Sequence, residues 1–346
     1  MKRPLPIATG GALALASAVA FGATTPLVQR FGRGIAPLTT AGLLYVGAAL
    51  FSALLDRKHE SPLRRTDAPR VLVVALLGAA IAPVALAWGL QRTSGVIASL
   101  LLNLEALFTV LLAWAIAREP IGGRVLAALS FMLAGGALLV LRSEPGAAKL
   151  GWGALAVTAA TLAWAADNVI GSTLAERDPA QVVLAKGSAG AALSLGLAWA
   201  LHEPWPSPIV ALSLAFCGAL GFGASLRLYL RAQRQIGAAR TGSIFAAAPF
   251  LGALVASAFG EPTGGAWTIV AGALCATGVL LHLTERHEHR HVHEVLVHDH
   301  PHTHDDGHHD HMHAGPPDGP HSHLHRHEAI THTHPHAPDV HHRHGH

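Results

Sequence analysis

The stretch EPIGG at residues 119 to 123 recurs as EPTGG at residues 261 to 265, an offset of 142 residues. The same offset carries GALA at residue 11 onto GALA at residue 153, and the Gln-Arg pair at residue 91 onto the one at residue 233. Matches of Ala and Leu mean little in this composition, whereas paired Gln-Arg and Glu-Pro-x-Gly-Gly matches are informative. The offset therefore predicts two copies of one structural unit.

The composition places both copies in a membrane. Of the 346 residues 51% are hydrophobic and 13% are charged, which a soluble domain rarely shows. The apolar residues form blocks of about 20 residues, the length with which an α-helix crosses a ~30 Å hydrocarbon core. We predict ten transmembrane helices, at residues 7–28, 37–55, 71–90, 94–117, 122–141, 151–171, 180–201, 208–230, 241–259 and 264–283.

Each copy holds five of these helices, an odd number, so the second copy enters the membrane in the opposite sense. The sequence predicts an all-α integral membrane protein with a 5+5 inverted repeat, residues 7–141 and 151–283, followed by a tail at 285–346. Lys and Arg collect in every second connection, for example Arg57, Lys58 and Arg64, which indicates the cytoplasmic side. We expect both termini in the cytoplasm and the protein in the cytoplasmic membrane.

Two long motifs resemble the EamA family of the drug/metabolite transporter superfamily. They are LEALFTVLLAWAIAREPIGG at 104–123 and LRLYLRAQRQIGAARTGSIFAAAPFLGALVASAFGEPTGG at 226–265. The resemblance covers residues 7 to 283 and implies ten helices and transport of small, often amphipathic metabolites, commonly outward. One departure concerns the proline that the family often has after the mid-helix glutamate. Pro249 retains it, whereas Ala106 stands in the first copy, so a kink in the fourth helix is in doubt.

Polar side chains at membrane depth are costly, so each is a candidate for substrate contact. Asn103 and Glu105 lie near the middle of the fourth helix, about 200° apart around its axis. Glu105 is the stronger candidate for a proton or a substrate, against the alternative of a glutamate that only fixes helix packing. Glu119 and Glu261 stand at helix ends before Pro and Gly, which indicates a structural role.

Asp167 and Asn168 in the sixth helix and Lys186 in the seventh lie at similar distances from the turn between them, so they can meet. A buried pair of Asp167 and Lys186 is compatible with a structural or a functional role. Trp88 and Trp164 are further candidates, either lining a cavity or marking the membrane interface.

The tail holds 23 of the 26 histidines, mostly at alternate positions. Few apolar residues and several Pro and Gly predict a disordered tail. Neutral imidazole suits Ni, Zn, Co and Cu(II), and a fused purification tag would be one short contiguous run, so we predict a native metal-binding segment. The candidate ligands are His287, His289, His291, His293, His298, His300, His302, His304, His309, His311, His313, His321, His323, His325 and His327.

These features favour a secondary transporter, most simply an exporter, of small organic metabolites or drugs with a metal-binding regulatory tail. A divalent transition-metal transporter fed by the tail and a non-transporting membrane metal sensor are the alternatives. We expect the bilayer, a small-molecule substrate and divalent metal ions as partners, no nucleic acid, and no cofactor for the helical core, and we leave a homodimer open. Motifs of nucleotide-binding loops and of hydrolases are missing from the sequence, so we predict no enzyme activity.

Overall fold

The computed structural model of the protein describes residues 6–54, 61–117, 123–141, 148–171, 173–174, 177–236, 241, 244–262, 265–283, 287–293, 296–302, 321–327 and 330–336. The α-helices, numbered along the chain, are α1 Pro6–Phe31, α2 Pro37–Ala53, α3 Ala68–Val74, α4 Ala82–Leu90, α5 Gly95–Leu101, α6 Leu104–Ala117, α7 Gly123–Leu141, α8 Ala148–Gly171, α9 Pro179–Ala200, α10 Pro208–Gly218, α11 Ser225–Ile236, α12 Ala248–Ala258 and α13 Ala266–Leu283. A 3-10 turn, Arg65–Asp67, precedes α3.

Six helical runs are long and apolar enough to cross a membrane. They are Thr9–Phe31, Arg65–Leu90, Gly95–Ile116, Gly151–Gly171, Pro179–Ala200 and Pro208–Ala232. Four shorter apolar helices are Pro37–Ala53, Gly123–Leu139, Ala248–Ala258 and Ala266–Leu281. Large apolar side chains such as Leu212, Trp199 and Ile269 face outward, as expected of a surface covered by lipid. The prediction of a helical, multi-pass membrane protein is confirmed.

Helix starts follow local sequence signals. Pro37, Pro179 and Pro208 each occupy the first turn of their helix, where a missing N–H costs nothing. The Asp178 carboxylate accepts a hydrogen bond from the N–H of Ala180 at 2.8 Å and so caps α9. Ser94 caps α5 in the same way, because its hydroxyl oxygen accepts from the N–H of Ile97 at 3.2 Å.

Two π-helices interrupt the helical runs at related places. One, Ala75–Ile81, joins α3 to α4, and the other, Ala219–Ala224, joins α10 to α11. The offset of 142 residues carries the first onto residues 217 to 223, which overlap the second. Corresponding helices also pack in corresponding pairs: α2 against α9, α7 against α13, and α1 against α11 as α8 against α4. The repeat seen in the sequence is therefore also visible in the backbone.

The tail contains four strands, β1 His287–His293, β2 Leu296–His302, β3 His321–His327 and β4 Ile330–His336. Strand β1 pairs antiparallel with β4, and β2 pairs antiparallel with β3. The prediction of a disordered tail is wrong for these segments. Its composition suggested disorder, but its alternating residues have the two-residue period of a β-strand, and folding back lets the strand backbones hydrogen-bond.

Small residues allow α7 and α13 to approach closely. A Cβ added to Gly135 would lie 2.8 Å from the carbonyl oxygen of Ala271, and one added to Gly278 would lie 2.7 Å from that of Ala128. Both distances are too short for a real carbon atom, so a larger residue forces the two backbones apart. Gly196 in α9, by contrast, has open space where a Cβ would lie.

We expect Gly278→Ala to lower the thermal stability of the purified protein, because overpacking costs about 1–3 kcal/mol and exceeds the gain in helix propensity. The matched control is Gly196→Ala, which adds the same methyl group without a clash and should leave stability unchanged or raise it. Unfolding temperatures in detergent, followed by fluorescence-detected size-exclusion chromatography, give the comparison. Equal unfolding temperatures for the two variants would contradict the close approach of α7 and α13.

Candidate functional site

The fourth helical run is broken at Leu102 and Asn103, between α5 and α6. Around the break the chain uses hydrogen bonds that reach back three residues, from the N–H of Asn103 to the carbonyl of Leu100 at 3.2 Å and from the N–H of Glu105 to that of Leu102 at 3.1 Å. The Asn103 side chain also donates to the Leu100 carbonyl at 2.9 Å. The helix is thus irregular here without a proline at Ala106.

Glu105 follows the break, in the first turn of α6. It is half-buried, and its Oε1 accepts a hydrogen bond at 2.7 Å from the Asn168 amide of α8. Asn103 is buried and bonds within its own turn, so the two polar residues of this stretch serve different neighbours. The structure therefore brings two of the predicted residues, Glu105 and Asn168, into direct contact.

Asp167 and Lys186 form an ion pair between α8 and α9. The side chain of Asp167 is 7% exposed and that of Lys186 is 15% exposed, so both charges are withdrawn from solvent. Each charge alone would be far more expensive in this setting than the pair. The meeting of these residues agrees with the sequence analysis, and Glu105 lies within electrostatic range of both.

The π-helix Ala75–Ile81 borders this ion pair at Gly78. A side chain at Gly78 would collide with the Asp167 carboxylate and would lie 2.8 Å from Lys186 Nζ. The Gly78 carbonyl accepts two side-chain hydrogen bonds, from the Tyr45 hydroxyl at 2.6 Å and from the Trp164 indole N–H at 3.0 Å. Such π segments often occur at functional sites. Sequence reasoning missed Gly78 and Tyr45, although a tyrosine inside an apolar segment is a usable signal.

Aromatic rings form a continuous cluster beside these polar groups. Phe21 lies 6.4 Å from Trp164, 6.0 Å from Phe222 and 5.5 Å from Phe245, measured between ring centroids. Tyr229 extends the cluster through Phe245 at 5.1 Å. Edge-on and tilted geometries of this kind are the favourable ones for aromatic pairs. Sequence reasoning found Trp164 but had no signal for the phenylalanines, which look like ordinary core residues.

Trp88 has different surroundings. The guanidinium of Arg92 lies 3.8 Å from the centre of its ring and donates to its backbone carbonyl at 2.9 Å. This arrangement at the end of α4 suits a residue at the membrane interface. The expected role of Trp88 in substrate binding therefore receives no support from its contacts, unlike that of Trp164.

Two further ion pairs tie connections together at the ends of the helices. Arg177 Nε lies 2.9 Å from Asp67 Oδ2, and Arg177 also donates to the Ser61 hydroxyl at 3.2 Å. Arg33 lies 3.1 Å from Glu261 beside a pocket of about 360 Å³. Glu261 is therefore part of a surface contact, in keeping with a structural role, while Glu119 lies outside the described residues.

Metal ligands do not gather in the helices. Within the part of the chain whose side chains the structure describes, three or more His, Cys, Asp or Glu residues never come together in a group that could hold a metal ion. In the tail, His304, His309, His311 and His313 lie outside the described residues, and the other predicted ligands lie on the strands.

Comparison with known proteins gives three results. The profile of the EamA-like transporter family matches residues 8–141 and 151–284. An uncharacterized transporter of Methanothermobacter thermautotrophicus is 26% identical over 287 residues, which cover 77% of this chain and 84% of that protein. A crystal structure of a protein 20% identical in sequence superposes with a TM-score of 0.55 over 80% of this chain and 96% of its own, a likeness in fold alone.

The ion pair allows a test by single and double substitution. We expect Lys186→Met to destabilise the protein by about 3–5 kcal/mol, because it leaves the Asp167 carboxylate buried without a counter-charge. Asp167→Asn with Lys186→Met should recover most of that loss. Thermal unfolding in detergent measures both, with Arg33→Met as the control that breaks an exposed pair at little cost. A double variant no more stable than Lys186→Met would disprove the coupling.

Proposed function

The chain belongs to the EamA-like transporter family and is a multi-pass membrane transporter, and from this premise we propose that it is a secondary transporter of small organic metabolites or drugs. We further propose export across the cytoplasmic membrane. The observation that carries the proposal is the group of charged and aromatic side chains inside the helical region, at Glu105, Asp167, Lys186 and Trp164. Charged groups at membrane depth are costly and are usually retained for function.

The proposed architecture is ten spans in two inverted halves. Support comes from the six long and four shorter apolar helices, from the sequence offset and from the two related π-helices. Two similar bundles of opposite orientation can exchange conformations and so open a central site to either side. The excess of Lys and Arg in alternate connections supports cytoplasmic ends, the tail included.

The two polar pairs suit different tasks in such a site. Asp167 and Lys186 neutralise each other between α8 and α9, beside the π-helix. Glu105 keeps part of its surface open, and its amide partner Asn168 is exposed, so an incoming solute can reach both. We assign substrate contact to Glu105 and Asn168, and positioning of the surrounding helices to the ion pair.

A comparison of two glutamates tests this assignment. Glu105→Gln should lower transport about tenfold or more at equal expression, since a hydrogen bond to a charged group is worth ~1.5–3 kcal/mol. Glu261→Gln is the matched control, because Glu261 pairs with the exposed Arg33 at 3.1 Å. The readout is the tolerance of a transporter-deficient host to a panel of organic metabolites and drugs. Greater damage from Glu261→Gln would show that the site is assigned to the wrong glutamate.

The tail supports a second function, the binding of Ni, Zn, Co or Cu(II). The strand register places His289 opposite His334 and His291 opposite His332, and in the other sheet His300 opposite His323. Opposite positions of an antiparallel pair share one face of the sheet. Histidine positions are thus paired across the strands, and we propose a regulatory metal-binding segment. The rival functions, a metal transporter fed by the tail and a metal sensor, predict different effects of deleting it.

We expect a protein truncated after residue 286 to lose Ni(II) binding and to keep its basal transport of organic solutes, because the helices and both halves remain. Isothermal titration of full-length and truncated protein with Ni(II) in detergent measures the binding. The bound Ni(II) should leave as the pH falls through ~6, because protonated imidazole cannot ligate a metal. If truncation abolishes all transport and the full-length protein moves only metal, the metal-transporter alternative replaces this proposal.

A further inference from the structure

The charges at the site do not cancel. Glu105 and Asp167 are carboxylates, Lys186 is the cation beside them, and Lys186 is held by Asp167. The hydrogen-bond donor on Glu105 is the neutral amide of Asn168, at 2.7 Å. Within this group of three charged residues one carboxylate therefore keeps its charge uncompensated, and it belongs to the half-buried Glu105.

The lysine cannot easily serve a substrate. Gly78 lies so close to the ion pair that an added Cβ would fall 2.8 Å from Lys186 Nζ, and the lysine side chain is 15% exposed. An anionic solute would need this ammonium to leave Asp167, which would strand a buried carboxylate. The site therefore disfavours a substrate whose main charge is negative.

Aromatic rings lie on the same side as the free carboxylate. Trp164 and Asn168 are four residues apart in α8 and share one face of that helix. Tyr229 lies within electrostatic range of Glu105 and is 5.1 Å from Phe245, measured between ring centroids. Phe21, Tyr229 and Phe245 are half-buried, so part of each ring stays open. Ring faces attract cations and also offer apolar contact area.

We propose that this site selects an organic cation that carries a compact apolar or aromatic group. Glu105 is the counter-ion of its charge, and the rings of Phe21, Tyr229 and Phe245 surround its apolar part. The inference rests on the proposed transport function and narrows the substrate class of the same site.

Three probes of similar size and different charge test the inference on the full-length protein in detergent. They are benzyltrimethylammonium, benzyl alcohol and phenylacetate, with L-phenylalanine as a zwitterion. Isothermal titration should show the cation binding at least about tenfold more tightly than the other three, from Coulomb attraction and ring contact combined. Glu105→Gln should reduce that preference to threefold or less, whereas Glu261→Gln should keep it.

A ring substitution gives an independent measurement in case Glu105→Gln does not fold. Phe245→Leu should weaken benzyltrimethylammonium binding about fivefold and leave tetramethylammonium within twofold, because the smaller ion has no aromatic group. Preference for phenylacetate or L-phenylalanine, or binding of none of the probes, overturns the inference. If transport of organic solutes persists in those cases the proposed function stands, and if transport is absent as well both fail.

Discussion

A charged group inside a membrane must find its partner within the protein, because hydrocarbon offers none. The pair of Asp167 and Lys186 meets this requirement between α8 and α9, and it does so against Gly78. The π-helix at that point brings the backbone close, and its Gly78 carbonyl in turn holds Tyr45 and Trp164. The positions of α2, α8 and α9 around this point are thus set by one electrostatic constraint.

The two halves share their backbone pattern but not their polar chemistry. The offset of 142 residues carries Asp167 onto Thr25, Lys186 onto Leu44 and Glu105 onto Ala247. The second π-helix meets Thr24 at Gly221, where the first meets the ion pair at Gly78. The charged residues consequently belong to one side of the repeat. Divergence of a few positions on a duplicated framework is enough to create a single site.

Much of this arrangement is predictable from sequence, and the missing part has physical reasons. The helical runs, the repeat and the meeting of Asp167 with Lys186 follow from apolar block length, offset and charge cost. The π-helices do not, because they depend on how neighbouring helices pack and not on a local residue signal. The aromatic cluster is equally hidden, since Phe21 and Phe222 in isolation resemble any apolar residue. In the tail, composition indicated disorder, while the two-residue period of the histidines fits the strands better.

The irregular points of the fold and the proposed substrate contacts coincide. The break between α5 and α6 precedes Glu105, and the second half has a similar turn, in which the N–H of Ala247 reaches back to the carbonyl of Ile244 at 3.1 Å. That turn carries Phe245, the counterpart of Asn103 under the offset. Equivalent breaks thus supply a carboxylate from one half and a ring from the other. Because the breaks are a property of the repeated backbone, whereas the side chains on them are not, substrate preference can change through these few positions without a change of fold.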